Sequence, residues 1–248
     1  MTSMRKTRAA RTAAAVAGVA LAAYELPALT FFSPALRRRL AIVDRIVGDR
    51  VALTFDDGPH HSGTPAVLAA LEAERVSATF FLVGEQVVRA PGMAAEIVAA
   101  GHEVGLHCHR HRLLLGLTPA QVADDLSRAA EAIESATGRR VVLYRPPYGV
   151  FNLAALRAAQ RSGWQPTHWS RWGRDWETRA TPDSIVLNLC RDLAAGEVML
   201  LHDADHYSAP GSWRKTAACL PRLIQTLRRR GLEPGPLVPF AAAGAGTR

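Results

Sequence analysis

From Val51 onward, short apolar runs alternate with amphipathic stretches, and this alternation restricts the possible folds more than any other feature of the chain. The runs are VALTF (51–55), SATFFLV (77–83), HEVGL (102–106), VVLY (141–144), QPTHWS (165–170) and EVMLL (197–201), with a weaker one near Leu237. Strands that alternate with helices along a chain form a parallel sheet or barrel. We therefore expect an α/β fold.

Two of the intervening stretches have clear helix boundaries. Residues 118–138 place Thr118 as the N-cap, Pro119 at the first helical position and Gly138 at the end. Residues 212–231 predict a closing helix with arginines in its last turn.

Polar residues follow four of the apolar runs, at the point where each predicted strand ends. They are Asp56 and Asp57 after the first run, His107 after the third, Arg145 after the fourth, and His202 and Asp203 after the sixth. The carboxyl ends of parallel strands share one face of a barrel, where loops assemble sites from distant segments. We expect these side chains to meet in one pocket.

Three histidines alternate in the segment GHEVGLHCHRHR (101–112). If the strand continued, His107, His109 and His111 would share one face; if the chain became helical, only His107 and His111 would align. The helical geometry is the more useful one, because two imidazoles one turn apart can bind one divalent ion with a third ligand from elsewhere. Cys108 lies between the candidate ligands and is interpreted as a spectator.

Composition fits one globular domain preceded by a different N-terminal segment. The 248 residues are 48% hydrophobic, with a mean hydropathy of +0.01. Residues 1–50 hold nine Lys and Arg against three Asp and Glu, so they contribute +6 of the formal +8 charge and the rest contributes only +2. A near-neutral domain without a recognition motif gives no reason to expect a nucleic-acid partner.

Residues 1–40 are predicted to be a signal peptide or membrane anchor, which would bring them into contact with a membrane. Basic residues flank the apolar stretch 12–36. Export cleavage after Ala22 is one interpretation, and a helix in the cytosol or lying on a surface is another. An uncleaved anchor is the third, although Glu25 near the middle of a span costs roughly 2.5–3.5 kcal/mol. The folded domain is predicted at residues 41–248.

Five motifs together indicate a family. They are TFDDGP (54–59), HCHRH (107–111), RPPY (145–148), RDW (174–176) and LLHD (200–203). In this order they resemble the polysaccharide deacetylases of the NodB homology domain, which are related to carbohydrate esterase family 4, over roughly residues 51–238. The resemblance implies an irregular (β/α) barrel of about seven strands, fewer than in the eightfold barrel.

The resemblance also implies a role for each matching residue. Asp57, His107 and His111 match the metal ligands, with zinc expected first and cobalt or another divalent ion as alternatives. The other matches are Asp56 as the base, Arg145 as the residue that orients it, the backbone N–H near Tyr148 as the oxyanion donor, Leu200 as the lining of the acetyl-methyl pocket, His202 as the general acid and Asp175 as its partner. Trp172 and Trp176 are placed on the wall of a sugar-binding groove.

Three positions depart from the family pattern without removing a ligand or an acid–base group. Cys108 stands where Ser or Thr is preferred, Leu106 where Asn is frequent, and Trp172 where an acidic residue is often found. These departures affect the expected substrate more than the reaction type.

The function expected from the resemblance is metal-dependent removal of N-acetyl groups from N-acetylhexosamine glycans, peptidoglycan or chitin-like, by attack of a metal-bound water. Alternatives are an O-acetyl ester or formamide hydrolase acting on xylan or a lipid-linked sugar, and a wall-binding protein without turnover. An extracytoplasmic location, anchored or secreted, is expected, with the cytoplasm as the alternative.

Overall fold

The computed structural model describes residues 2–237, and the side chains of residues 14–237. The basic side chains before Ala14 and the end of the predicted domain after Leu237 therefore lie outside the described residues. Within that range the strands are β1 Arg50–Asp56, β2 Thr79–Val83, β3 Glu103–Cys108, β4 Leu143–Tyr144, β5 Gln165–Pro166, β6 Arg171–Trp172, β7 Val198–His202 and β8 Glu233–Gly235.

The strands form one parallel sheet that curls into an irregular barrel, as expected. Their order is β5-β4-β3-β2-β1-β7-β6, and β8 pairs with the beginning of β1. β1 and β2 are buried almost throughout because both faces of the sheet are covered. The barrel interior packs Phe81, Leu143, Trp169 and Leu200 together, and the larger hydrophobic core lies between sheet and helices.

Two of the described α-helices precede β1, and the other seven connect the strands on the outside of the barrel. They are α1 Thr2–Glu25, α2 Pro34–Arg39, α3 Gly63–Ala73, α4 Gly84–Arg89, α5 Pro91–Ala99, α6 Pro119–Thr137, α7 Leu153–Ser162, α8 Pro182–Cys190 and α9 Ser212–Arg229. The boundaries predicted for α6 are confirmed: Thr118 forms a capping box with Gln121, and Gly138 ends the helix in the left-handed region at φ 64°. The closing helix α9 is confirmed as well.

The strand predicted over 165–170 is wrong in its extent. β5 pairs with β4 and ends at Pro166, whereas β6 begins at Arg171 and pairs with β7. Residues 167–170 therefore cross the opening between the two edges of the sheet, and one continuous strand cannot pair with both edges. The weak strand expected near Leu237 lies slightly earlier, at Glu233–Gly235.

Residues 43–46 occupy this opening between the sheet edges. The N–H of Val43 donates to the Pro166 carbonyl and the N–H of His168 donates to the Val43 carbonyl, at 2.9 and 2.7 Å. On the other side, the N–H of Ile46 donates to the Gly196 carbonyl at 2.8 Å, just before β7. The chain that leads into β1 thus closes the barrel where the sheet does not.

Candidate active site

Four of the six residues predicted at the strand ends line one pocket at the C-terminal face of the barrel: Asp56, Asp57, His107 and His202. The prediction is wrong for Asp203, which is buried outside the pocket and accepts a hydrogen bond from the Thr64 hydroxyl, and Arg145 lies beneath the pocket. Asp56 is the last residue of β1 and is in register with His202 of β7, and His107 lies in β3. The pocket has a volume of about 270 Å³. Its lining combines carboxylates, imidazoles and aromatic rings, namely Phe31, Asp56, Asp57, His107, His111, Tyr148, Trp169, Trp172, Trp176, Leu200, His202, Tyr207 and Ser208.

Asp57, His107 and His111 form a cluster whose candidate ligand atoms all lie within 4.8 Å of one another. The Nε2 atoms of His107 and His111 are 3.5 and 3.3 Å from Asp57 Oδ1, a buried oxygen with no hydrogen bond from any described residue. His107 Nδ1 lies 2.7 Å from the Arg145 carbonyl oxygen, so the ring proton belongs on Nδ1 and the Nε2 lone pair faces Asp57. These residues fit a divalent cation.

The charge states in this cluster also suit a cation. Burial alone would raise the pKa of Asp57, but contact with His107 and the nearby charges of His202 and His111 outweigh it and lower the pKa to about 2. Burial lowers the pKa of His111 to about 4, against the opposing effect of Asp57. An ionised carboxylate beside a neutral imidazole is the protonation state that metal ligands require.

The helical geometry considered for residues 107–111 is wrong, although His107 and His111 do converge. β3 continues to Cys108, and the chain then bends because the backbone N–H groups of His109 and Arg110 donate to the Asp125 carboxylate of α6, at 2.8 and 3.3 Å. The His109 ring lies outside the cluster: its Nδ1 is 2.7 Å from the position that a Cβ on Gly84 would take.

Asp56 is held by Arg145 from beneath the pocket. Arg145 Nη1 donates to Asp56 Oδ1 at 2.7 Å and to Thr54 Oγ1 at 2.8 Å, and Nη2 donates to the His168 carbonyl at 3.1 Å. The guanidinium carbon lies 4.1 Å from the Phe81 ring centroid. Burial lowers the pKa of Arg145, and Asp56 opposes that shift. One oxygen of Asp56 is thereby fixed, which leaves the other to face the pocket.

His202 and Asp175 form a second pair beside the cluster. His202 Nδ1 is 3.0 Å from Asp175 Oδ1, and the His202 backbone N–H and the Thr216 hydroxyl both donate to Asp175 Oδ2 at 2.7 Å. His202 Nε2 lies 4.0 Å from Asp57 Oδ2. Burial lowers the pKa of His202, but Asp175 and the other carboxylates outweigh it and raise the pKa to about 10.

Tyr148 and Leu200, the two residues predicted to contact the acyl group, both line the pocket. Tyr148 has a left-handed backbone at φ 58°, which is uncommon for a residue with a side chain and costs roughly 1–3 kcal/mol. Among the described residues its N–H finds no backbone acceptor, whereas the next N–H, of Gly149, bonds to the Pro146 carbonyl at 3.0 Å. Leu200 of β7 is buried in the pocket floor.

Aromatic rings form the pocket walls. Trp172 and Trp176 line the pocket as the sequence predicts, with ring centroids 5.9 Å apart. Three further rings that line the pocket were not predicted there: Trp169, Tyr207 and Phe31. Tyr207 stacks on His111 at 4.2 Å and 14°, and its hydroxyl donates to Glu85 at 2.8 Å. Phe31, in the apolar segment assigned to export or anchoring, lies beside Trp169 and Trp172.

Other histidines and the cysteines take structural positions. His102 and His168 are buried, and burial lowers their pKa values to about 4 and about 3. Cys108 is a buried free thiol that does not belong to the Asp57 cluster, which agrees with its interpretation as a spectator.

The family follows from this fold and these motifs. Residues 46–167 match the family model described as polysaccharide deacetylase. The parallel barrel and the convergence of the five motif regions agree with that match. The chain belongs to the polysaccharide deacetylase family and is a hydrolase of that family.

The chain is also similar to individual named proteins and to a solved structure. The chain is 38% identical over 197 residues to a chitooligosaccharide deacetylase from Bradyrhizobium sp., covering 75% of this chain and 88% of the relative. It is 31% identical over 183 residues to a peptidoglycan-N-acetylglucosamine deacetylase from Bacillus cereus, covering 73% and 83%. The crystal structure of a CE4 family pseudoenzyme from Bacillus anthracis superposes with a TM-score of 0.72 at 28% identity, covering 79% of this chain and 67% of that one.

Proposed function

We propose that the chain removes N-acetyl groups from an N-acetylglucosamine-containing glycan with the help of a divalent metal ion. One observation supports this proposal above all. A cluster able to hold a cation shares one pocket with the oriented carboxylate Asp56 and with the His202–Asp175 pair. Amide hydrolysis needs a base to activate water and an acid to protonate the departing amine, and these two groups fit those tasks.

Each residue then has a defined task. Asp56 accepts a proton from the attacking water, while Arg145 keeps its carboxylate oriented. The Tyr148 N–H donates to the oxygen that becomes negative as the carbonyl is attacked. His202 transfers a proton from Nε2 to the amine as the carbon–nitrogen bond breaks, and Asp175 stabilises the charged ring. The products are acetate and a free amino sugar, with Leu200 packed against the acetyl methyl group.

Asp57, His107 and His111 would hold the metal, which we propose to be zinc, with cobalt or another divalent ion as alternatives. When bound, such an ion acts as a Lewis acid and lowers the pKa of a coordinated water towards about 7. Three protein ligands with an open position are characteristic of catalytic zinc sites.

The substrate is proposed from the relatives. Two of them are named for chitooligosaccharide and for peptidoglycan N-acetylglucosamine, so an acetylated amino-sugar polymer is the first expectation. Acyl ester or formamide hydrolysis, on xylan or a lipid-linked sugar, is the alternative because the same acid–base pair serves those carbonyls.

Binding without turnover is the second alternative, and a solved relative gives it weight. The CE4 family pseudoenzyme shares this fold, so the barrel alone does not establish turnover. In this chain the base, the acid, their orienting partners and the cation-binding cluster are all present and in contact. That complete set favours an active enzyme over a wall-binding protein.

We also propose an extracytoplasmic location, with the cytoplasm as the alternative. Residues 14–31 have a mean hydropathy of 1.5 and are 11% buried, so by length and composition they could form a signal or cross a membrane. The end of this stretch, from Tyr24 to Phe31, contacts the domain, so an anchor would use the residues before it. A signal or anchor and a catalytic domain that acts on wall glycans fit together in that compartment.

The test is acetate release by the full chain in mild detergent from N-acetylglucosamine oligomers and peptidoglycan, metal-free and after addition of zinc or cobalt. Acetate should appear only with metal. Acetylated xylan and an acetylated lipid-linked sugar are parallel substrates. Acetate from these alone would replace the glycan N-deacetylase with the ester or lipid-linked alternative. No acetate from any of them, despite one bound metal per chain, would favour the binding protein.

A further inference from the structure

The segment Leu26–Leu40, here called the N-terminal strap, is fixed to the domain. Arg37 is buried and holds it: Nε donates to Asp44 Oδ2 at 2.6 Å, and Nη1 donates to the carbonyls of Thr30 and Phe31 at 2.7 and 3.2 Å. Just before the strap, the Tyr24 hydroxyl donates to the Leu117 carbonyl at 2.7 Å. The side chains of Arg37 and Tyr24, on either side of Phe31, therefore hold this part of the chain to Asp44 and to the Leu117 carbonyl.

Phe31 projects from this strap onto the aromatic wall of the pocket. Its ring lies 6.3 Å from Trp169 in a T-shaped contact, 5.8 Å from His168 and 6.1 Å from Trp172. The Trp172 side chain is 41% exposed, so its face remains open beside Phe31. Trp169 and His168 are buried behind Phe31, whereas Phe31 is half-buried and Trp172 is exposed. Accessible rings next to carboxylates and imidazoles suit a ligand that is apolar on one face and polar at its edges.

The strap lies outside residues 46–167, which match the family model. We infer that Phe31 is a sugar-binding residue supplied by the strap, whose ring stacks on the apolar C–H face of a pyranose beside the acetyl-binding position. This inference rests on the proposed function for the class of ligand. It also moves the functional boundary of the domain upstream of residue 41, to about Tyr24.

Phe32 provides a matched control for Phe31. It has the same side chain, is 80% exposed and touches the Phe31 ring at 5.0 Å, but only Phe31 is among the described residues that line the pocket. Loss of apolar surface or a change in the strap backbone should affect variants at Phe31 and at Phe32 alike. Loss of sugar stacking should affect only the variant at Phe31.

The experiment compares Phe31→Ala and Phe32→Ala in the full chain with an N-acetylglucosamine tetramer. We expect KM to rise about 3- to 10-fold in Phe31→Ala, with kcat changed less than about twofold and bound metal unchanged, and no change in Phe32→Ala. Phe31→Leu keeps apolar volume against Trp169 and should show the same loss, whereas Phe31→Tyr keeps the stacking face and should restore KM.

Affinity measured without turnover separates this inference from the proposed function. Tetramer binding is titrated calorimetrically in the Asp56→Asn background, with and without Phe31→Leu. A weaker Kd with Phe31→Leu supports the stacking role even if the wild-type chain releases no acetate, a result that would count against the deacetylase alone. Equal Kd values with and without Phe31→Leu, or no tetramer binding by the parent, overturn the role of Phe31.

Discussion

Asp56→Asn should reduce glycan deacetylation by about 10²–10⁴-fold while one metal ion per chain stays bound. Asparagine keeps an oxygen that can accept from Arg145 Nη1, now 2.7 Å from Asp56 Oδ1, but it cannot accept a proton from water. Asp56→Ala, which removes the whole carboxylate, would leave the buried Arg145 charge without its partner. That loss would cost about 3–5 kcal/mol in folding free energy. Asparagine is therefore the cleaner test of the base.

His107→Ala provides the contrasting result, because it should remove both activity and metal. Its Nε2 is one of the two imidazole nitrogens directed at Asp57. His109→Ala is the matched control: its ring lies outside the cluster, so metal and most activity should remain. Metal content by mass spectrometry and acetate release are measured for all three variants. Full activity in Asp56→Asn would reject the base assignment, and metal loss in His109→Ala would reject the chosen histidine pair.

The parallel sheet and the clustering of polar residues at its strand ends could be predicted from the sequence. Apolar runs followed by helices restrict the chain to parallel strands, and parallel strands bring their C-terminal ends to one face. Asp56 and His202, 146 positions apart in the chain, are in register on neighbouring strands for this reason. Local patterns at the two strand ends were sufficient to predict this contact, because the parallel topology places the two ends side by side.

The bend after β3 was not predictable in the same way. It depends on Asp125 accepting two backbone N–H groups from a helix that follows the bend by many residues. In the sequence, Asp125 falls on the buried face of α6, three residues after Val122 and four before Ala129, but the spacing does not tell which groups its carboxylate contacts. The resemblance supplied His107 and His111 as the predicted pair, whereas the local geometry that brings the two rings together depends on this tertiary contact.

Phe31 escaped prediction for a related reason. Its segment has the hydropathy of an export signal or anchor, and composition alone cannot distinguish that use from packing on a barrel. The decisive contacts join Phe31 to Trp169 and Arg37 to Asp44. Within the basic cluster Arg37–Arg39, Arg37 is buried although the other arginines are exposed. This difference would have indicated a contact with the domain, but it can be seen only in the structure.

His202→Ala should lower kcat/KM by about 10²–10⁴-fold and remove the alkaline limb of the pH profile. His202 must be protonated to act as the acid, so activity should fall as pH rises through its pKa. Asp175 raises that pKa above the ordinary value of 6.5, to about 10 in the metal-free protein, and a bound cation would bring it lower. The free energy of unfolding depends on pH in the same direction. The His202–Asp175 pair contributes its full stabilisation below pH 6.5, and this contribution is lost as pH rises through about 10.

Asp175→Asn tests whether this limb belongs to His202. Losing the carboxylate 3.0 Å from Nδ1 removes the main charge that favours the imidazolium, so the limb should move to lower pH while the acid-side limb stays in place. Full pH profiles of kcat/KM for the wild type and both variants are compared at saturating metal. If Asp175→Asn leaves the alkaline limb unmoved, the limb reports another group and the proton reaches the leaving amine by a different route.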